Sequence, residues 1–219
     1  MRLIRLLPVA LLLCLPALAS AQGWIEFSSK EDRFAVNFPG QPKVEATPFV
    51  TEGKITLPAR LYSATSGPSK YSLLAVDYSN TEALHAERAK NCPPGAHTGC
   101  TGSVTMGVGG WINDLRGAMD FAVKGFLLRD AKVTFYGWNF IDLVEGKQLQ
   151  LTNTADASRT FVAIHMHLNR LYILEATVPK GYPEPGLFQQ SLQFLDGDGK
   201  TVRYESVYTN FSTPPKRTR

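Results

Sequence analysis

The stretch from Thr160 to Pro179, TFVAIHMHLNRLYILEATVP, constrains the fold more than any other part of the chain. It reads as two strands around a turn at Asn169-Arg170, which sets His167 opposite Tyr172 and His165 opposite Leu174. Alternate side chains point to opposite faces of a strand. One face then carries Phe161, Ala163, His165, His167, Tyr172, Leu174, Ala176 and Val178, and the other Val162, Ile164, Met166, Leu168, Leu171, Ile173, Glu175 and Thr177. Both are largely apolar, whereas an antiparallel sheet with one wet face shows a clean polar–apolar alternation. The hairpin is therefore expected in the middle of a sheet that is covered on both sides.

Two segments can supply the covers. Trp111, Leu115, Met119, Ala122 and Phe126 recur at helical spacing, with Asn113, Asp114, Arg116, Asp120 and Lys124 on the other side. In PEPGLFQQSLQFL, residues 183–195, Phe188, Ser191, Leu192 and Leu195 share one stripe behind a helix-starting proline. Strands are expected at 24–28, 33–38, 54–64, 70–78, 131–144, 148–153 and 201–208, with 79–110 irregular. The expected class is α+β, a three-layer α/β/α sandwich. Its central sheet is mainly antiparallel, with about six to eight strands and two main helices, one on each face.

The opening MRLIRLLPVALLLCLPALASAQG has the layout of a secretory signal peptide: Arg2 and Arg5, an apolar run from Leu6 to Leu15, then Ala19-Ser20-Ala21. The run is too short to span a bilayer, and Leu13 before Cys14 does not suit a lipobox. Cleavage after Ala21 leaves a single domain over 22–210 and a basic tail, 211–219, read as a disordered end. Lys+Arg falls from 23 to 21 against 19 Asp+Glu, so the charge is small and no basic face suggests nucleic acid. The location expected is periplasmic or secreted. There Cys92 and Cys100, left alone once Cys14 is removed, are expected to pair across the Pro/Gly-rich CPPGAHTGC as a structural disulfide.

The opening WIEFSS…RFAVNFPGQP, taken with the distant RLYILEATVP…FQQSLQFL, resembles the PsbP-like α/β/α sandwich domains, and especially small secreted bacterial proteins of that kind. The resemblance follows the order of elements through most of the mature chain. It implies a non-enzymatic accessory or binding domain and brings no catalytic residues. The Cys92–Cys100 insertion and the basic tail are not parts of the pattern.

His165-Met-His167 is the one constellation with metal-ligand character, because side chains two apart on a strand share a face. Zinc needs a third protein ligand, and neighbouring Asn169, Tyr172 and Glu175 do not supply it. Buried, hydrogen-bonded histidines under a helix are the plainer reading, with a metal site or metal-dependent hydrolase as the alternative. GDGKT at 197–201 has Phe194 where a phosphate loop needs glycine, and DGDGK places Lys200 at a calcium-ligand position. No cofactor motif is found. Phe135, Tyr136, Trp138 and Phe140 read as core residues, with an exposed aromatic edge as the alternative. His97, Trp111 and Trp138 are the candidates for a ligand or partner surface. The function expected is that of a non-catalytic binding or accessory protein in the cell envelope, with a protein or small ligand as partner and no integral membrane segment after cleavage.

Overall fold

The computed structural model describes residues 23–94 and 110–218. Seven strands make one antiparallel sheet: β3 (Lys43–Val50), β4 (Thr56–Ser66), β5 (Ser69–Asp77), β6 (Ala131–Ile141), β7 (Val144–Asn153), β8 (Arg159–His167) and β9 (Arg170–Val178). Their order is β3-β4-β5-β9-β8-β7-β6, so the doubly apolar hairpin β8–β9 lies in its interior. A smaller sheet, β1-β2-β10, is built from β1 (Ile25–Ser29), β2 (Phe34–Phe38) and β10 (Gln193–Phe194). The helices are α1 (Thr81–Lys90), α2 (Gly110–Leu127) and the single turn α3 (Gly186–Gln189).

This is the three-layer sandwich expected, with the large antiparallel sheet as its middle layer. Val162, Ile164, Met166, Leu171 and Ile173 pack under α2 through Leu115, Ala118, Ala122, Val123 and Phe126. Ala163, Tyr172, Leu174 and Ala176 pack under Phe34, Val36, Phe38, Phe188 and Phe194. The two main helices, α1 and α2, do not divide the faces between them. They pack on the same side, and the second cover is the small sheet with α3. The helix expected over 183–195 stops after one turn because Phe194 continues as a strand against Phe34, where it joins a cluster of rings with Tyr172 and His167.

The small sheet is anchored by its β1–β2 turn. Arg60 on β4 donates two hydrogen bonds to the Asp32 carboxylate, at 2.6 and 2.5 Å, and Tyr62 donates a third at 2.5 Å. Burial and that carboxylate push the Tyr62 phenol up to about 12. Tyr172 in the centre of the large sheet donates to the Asp32 carbonyl at 2.8 Å. Bidentate charge-assisted bonds of this kind fix orientation as well as adding energy.

The β8–β9 turn lies one residue earlier than the one read in the sequence, which shifts the pairing across the hairpin by two. Leu168 and Asn169, at φ 47 and 58°, form a two-residue turn of the I′ class that suits the twist of a hairpin. His165 therefore faces Tyr172, and His167 faces Arg170. A slip of one residue would have exchanged the faces; a slip of two leaves every side chain on its expected side. The β6–β7 turn is of the same kind, with Asp142 and Leu143 at φ 47 and 62°, rather than lying at Glu145–Lys147.

Both turns are held by one later segment. Tyr208 accepts from Leu168 N–H at 3.0 Å, and Asn210 accepts from Asn169 N–H and donates back to its side chain at 3.0 and 2.8 Å. The backbone of Tyr208 brackets Leu143 and Glu145 at 2.9 and 3.1 Å. Residues 201–208, expected as a strand, make only isolated bridges, because Val202, Tyr204 and Tyr208 turn inward to close the core. The last residues lie against this segment: Glu205 and Thr218 donate backbone bonds to Lys216 and Arg203, and Arg217 lies 3.9 Å from Asp196.

A non-glycine residue in the left-handed region carries roughly 1 kcal/mol of strain. Leu143 is 40% exposed, so Leu143→Gly is expected to raise unfolding stability by up to about 1 kcal/mol. Tyr208→Phe, which strands the Leu168 N–H, should lower it by about 1–2 kcal/mol. Urea midpoints of the two variants check both.

Candidate functional site

A cleft of about 980 Å³ opens between the β6–β7 side of the large sheet and the layer made by β2, α3 and β10. Asn139, Phe140 and Gln148 line it from the sheet, and Asn37, Gln189, Gln190 and Gln193 from the cover. Among the described residues, the charged ones in its wall are Asp142 and Arg203, which approach each other at 3.6 Å. The cleft is therefore electrically neutral and rich in carboxamides, each of which can both donate and accept. Gln193 is engaged with Glu26 and Thr201. Asn37, Gln148 and Gln190 make no side-chain hydrogen bond among the described residues. Ser191 is occupied, accepting from Asn37 N–H at 2.8 Å and donating to the Phe188 carbonyl at 3.0 Å.

Behind this wall lies the histidine pair. His165 Nε2 is 3.3 Å from the Asn139 side-chain nitrogen, so the neutral ring accepts and fixes the outward carboxamide. His167 Nε2 meets the Tyr204 hydroxyl at 2.8 Å, and its ring is packed by Phe194 and Tyr208. Both histidines are buried, as read from the sequence. Their roof is β10 and the 204–208 segment rather than a helix. Burial pushes His165 down to about 4, against the opposing pull of the Val144 and Glu145 backbone. Burial, then the charges of Arg217, Arg33 and Arg170, push His167 down to about 3. The two side chains reach Asn139 and Tyr204 rather than a common point. Among the described residues, no three His, Cys, Asp or Glu side chains gather as a metal site would need.

Sequence reasoning missed a second buried polar cluster. Asp114, assigned there to the wet side of its helix, is buried. It accepts from Thr51 Oγ1 at 2.5 Å, from His85 Nε2 at 3.0 Å and from Gly53 N–H at 3.1 Å. A hydrolytic triad places the imidazole between acid and nucleophile; here the carboxylate is in the middle, and the cluster ties α1, α2 and the β3–β4 turn together. Its members come from three distant segments, so no spacing signal could have found them.

Of the expected surface residues, Trp138 is 59% exposed, with Lys147 Nζ 3.3 Å from its ring centroid. Trp111 is only partly buried and packs against the core beneath α2. His97 and Cys100 lie outside the described residues, and Cys92 follows the end of α1. Phe135, Tyr136 and Phe140 are 44 to 49% exposed, which corrects the core reading. Their strand is the outermost of the sheet, beyond the reach of α2.

No protein-family model matches the sequence, and no curated protein matches it in sequence. Among solved structures, the chain is similar to the solution structure of cyanobacterial PsbP (CyanoP) from Synechocystis sp. PCC 6803. The TM-score is 0.39 at 8% identity, over 75% of this chain and 84% of that one. No helix of the described residues is long and apolar enough to cross a membrane.

Because both histidines are depressed in the folded state, the unfolded chain binds protons below pH 6.5 that the folded chain refuses. Stability is complete above that pH and is expected to fall as pH drops from about 6.5 to 4, by about 1.4 kcal/mol per pH unit for each histidine. Urea titrations across this window should show the slope halved in His167→Gln. Gly146 faces His165 across the ladder, and a Cβ there would overlap His165 Nδ1 and the Ile164 carbonyl oxygen. Gly146→Ala is expected to cost about 2–3 kcal/mol in the same assay.

Proposed function

We propose that the chain is an exported binding or accessory protein of the cell envelope, without catalysis of its own. In this reading the leader is removed after Ala21, Cys92 and Cys100 join to close their loop, and the cleft beside Asn139 holds an uncharged ligand. The observation that carries it is the wall itself: Asn37, Gln148 and Gln190 present unengaged carboxamides to the cleft. Carboxamides suit a neutral group dense in donors and acceptors, such as a peptide backbone or sugar hydroxyls, and offer no counter-charge to an ion. The volume is that of an ordinary ligand pocket.

The test uses neutral tetrasaccharides and short uncharged peptides as probes, with polyanionic and polycationic oligomers of equal size beside them. Amide chemical shifts should move at Asn139, Gln148 and Gln190 with the neutral probes alone. Removing one ligand hydrogen bond is worth about 1 kcal/mol, so Gln148→Ala and Gln190→Ala should each weaken binding by roughly fivefold. Stronger binding of the charged oligomers, or unchanged affinity in a Gln148→Ala/Gln190→Ala double variant, would overturn the reading.

A further inference from the structure

The seven-stranded sheet has two edges, β3 and β6, and they are built differently. The edge strand β3 carries Lys43 and Glu45, paired to each other at 2.8 Å, and Pro48, which has no N–H to offer. These are the devices by which soluble proteins protect an open edge. The other edge has none of them beyond Lys132 near its start. From Val133 to Ile141 the strand β6 is uncharged, and Val133, Phe135, Tyr136, Trp138 and Phe140 are 38 to 59% exposed.

The direction of its free backbone groups follows from the hairpin. Ile141 and Val144 close the two-residue turn, and Glu145 N–H bonds to Tyr208, away from β6. Hydrogen-bonded and non-hydrogen-bonded pairs alternate along an antiparallel ladder. The N–H and C=O groups of Tyr136, Trp138 and Phe140 therefore point outward from the sheet. Around Gly137 the residue types are nearly symmetric: Tyr136 and Trp138 flank it, then Phe135 and Asn139.

We propose that β6 is the docking edge for a second copy of this chain, paired antiparallel about a two-fold axis through Gly137. Tyr136 of one copy then faces Trp138 of the other, and each such pair exchanges two backbone hydrogen bonds because both residues point outward. Four aromatic rings line one face of the junction, and Phe135 lies beside Asn139 on the other. At the axis the two facing residues are both glycine. An uncharged strand meets its own copy without repulsion, and nothing on it offers a counter-charge to a charged partner; this self-complementarity is what an isologous contact requires. The irregularity between Val133 and Phe135 limits the ladder to its turn-proximal half, so the contact is smaller than a standard interface and the dimer is reversible. The axis is perpendicular to the sheet, so both clefts open on the same side of the joined sheets.

Sedimentation velocity of the purified protein should show a monomer–dimer equilibrium that shifts with dilution, weakened at least tenfold by Trp138→Lys. At a directly facing non-hydrogen-bonded pair the Cα atoms are about 4.5 Å apart, within disulfide range. Gly137→Cys should therefore cross-link to itself under mild oxidation, above the wild-type background and well above Val44→Cys on β3. A side chain at 137 presses on the Phe135 ring edge, 3.1 Å away, which the ring can yield. The wild-type and Trp138→Lys measurements decide the matter without that variant. A wild-type protein that stays monomeric at roughly 100 μM overturns the proposal. So does a dimer unaffected by Trp138→Lys, or cross-linking at Val44→Cys equal to that at Gly137→Cys. Trp138 does not line the cleft, so these outcomes are independent of ligand binding.

Discussion

A hairpin that is apolar on both faces cannot leave either face in water, and most of this structure follows from that. Each fully buried aliphatic or aromatic side chain contributes about 1.5–3 kcal/mol relative to exposure, so β8 and β9 require two covers of comparable quality. They receive two that are chemically unlike. On one side a long amphipathic helix lies across the strands and is tethered through Asp114. On the other, a small sheet rich in phenylalanine is pinned by the Arg60–Asp32 pair. Each tether puts a buried carboxylate where three donors converge, which is the condition under which burying a charge is tolerable.

The two buried polar systems near the sheet solve opposite problems. Asp114 gathers three donors around its carboxylate. His165 and His167 give up their charge, and a neutral ring nitrogen then serves as a fixed acceptor for Asn139, or as a partner for Tyr204. That is how a histidine in the core shapes a wall of the cleft without touching its contents. The pair belongs to the packing of the protein, yet one of the two sets the orientation of a carboxamide that a ligand would meet.

Much of the middle layer was legible in the sequence because periodicity of two survives errors of register. The β8–β9 turn was misplaced by one residue, which shifts the cross-strand pairing by two, so each side chain kept its layer. The helix over 110–127 was legible for the same kind of reason, since its apolar stripe is strong. Helix α1 was not: TEALHAERAK has little apolar face, and it is held by His85 reaching a carboxylate in another helix. Strand β3, with its charges and Pro48, looks like a loop until β4 pairs with it. The short α3 looked like a full helix because Phe188, Leu192 and Leu195 do share a stripe; only the distant Phe34 draws the chain off that path. The aromatic strand could not be placed without knowing the strand order, since the same residues would be core one position further in. The cleft was invisible for a related reason, its carboxamides coming from three separate segments around Asn37, Gln148 and Gln190.

The clamp made by Tyr208 and Asn210 has a consequence for the order in which the molecule can be completed. The Leu168-Asn169 turn is held by residues that follow it by about forty positions, and the Asp142-Leu143 turn waits longer. A chain that emerges from its N-terminal end forms both hairpins before the groups that secure them exist. Until then two leucines must hold a backbone conformation that their side chains disfavour, with amide groups open to water. The hairpins are thus free to adjust register during synthesis, and become fixed in a late step when the 204–210 segment closes over the histidines.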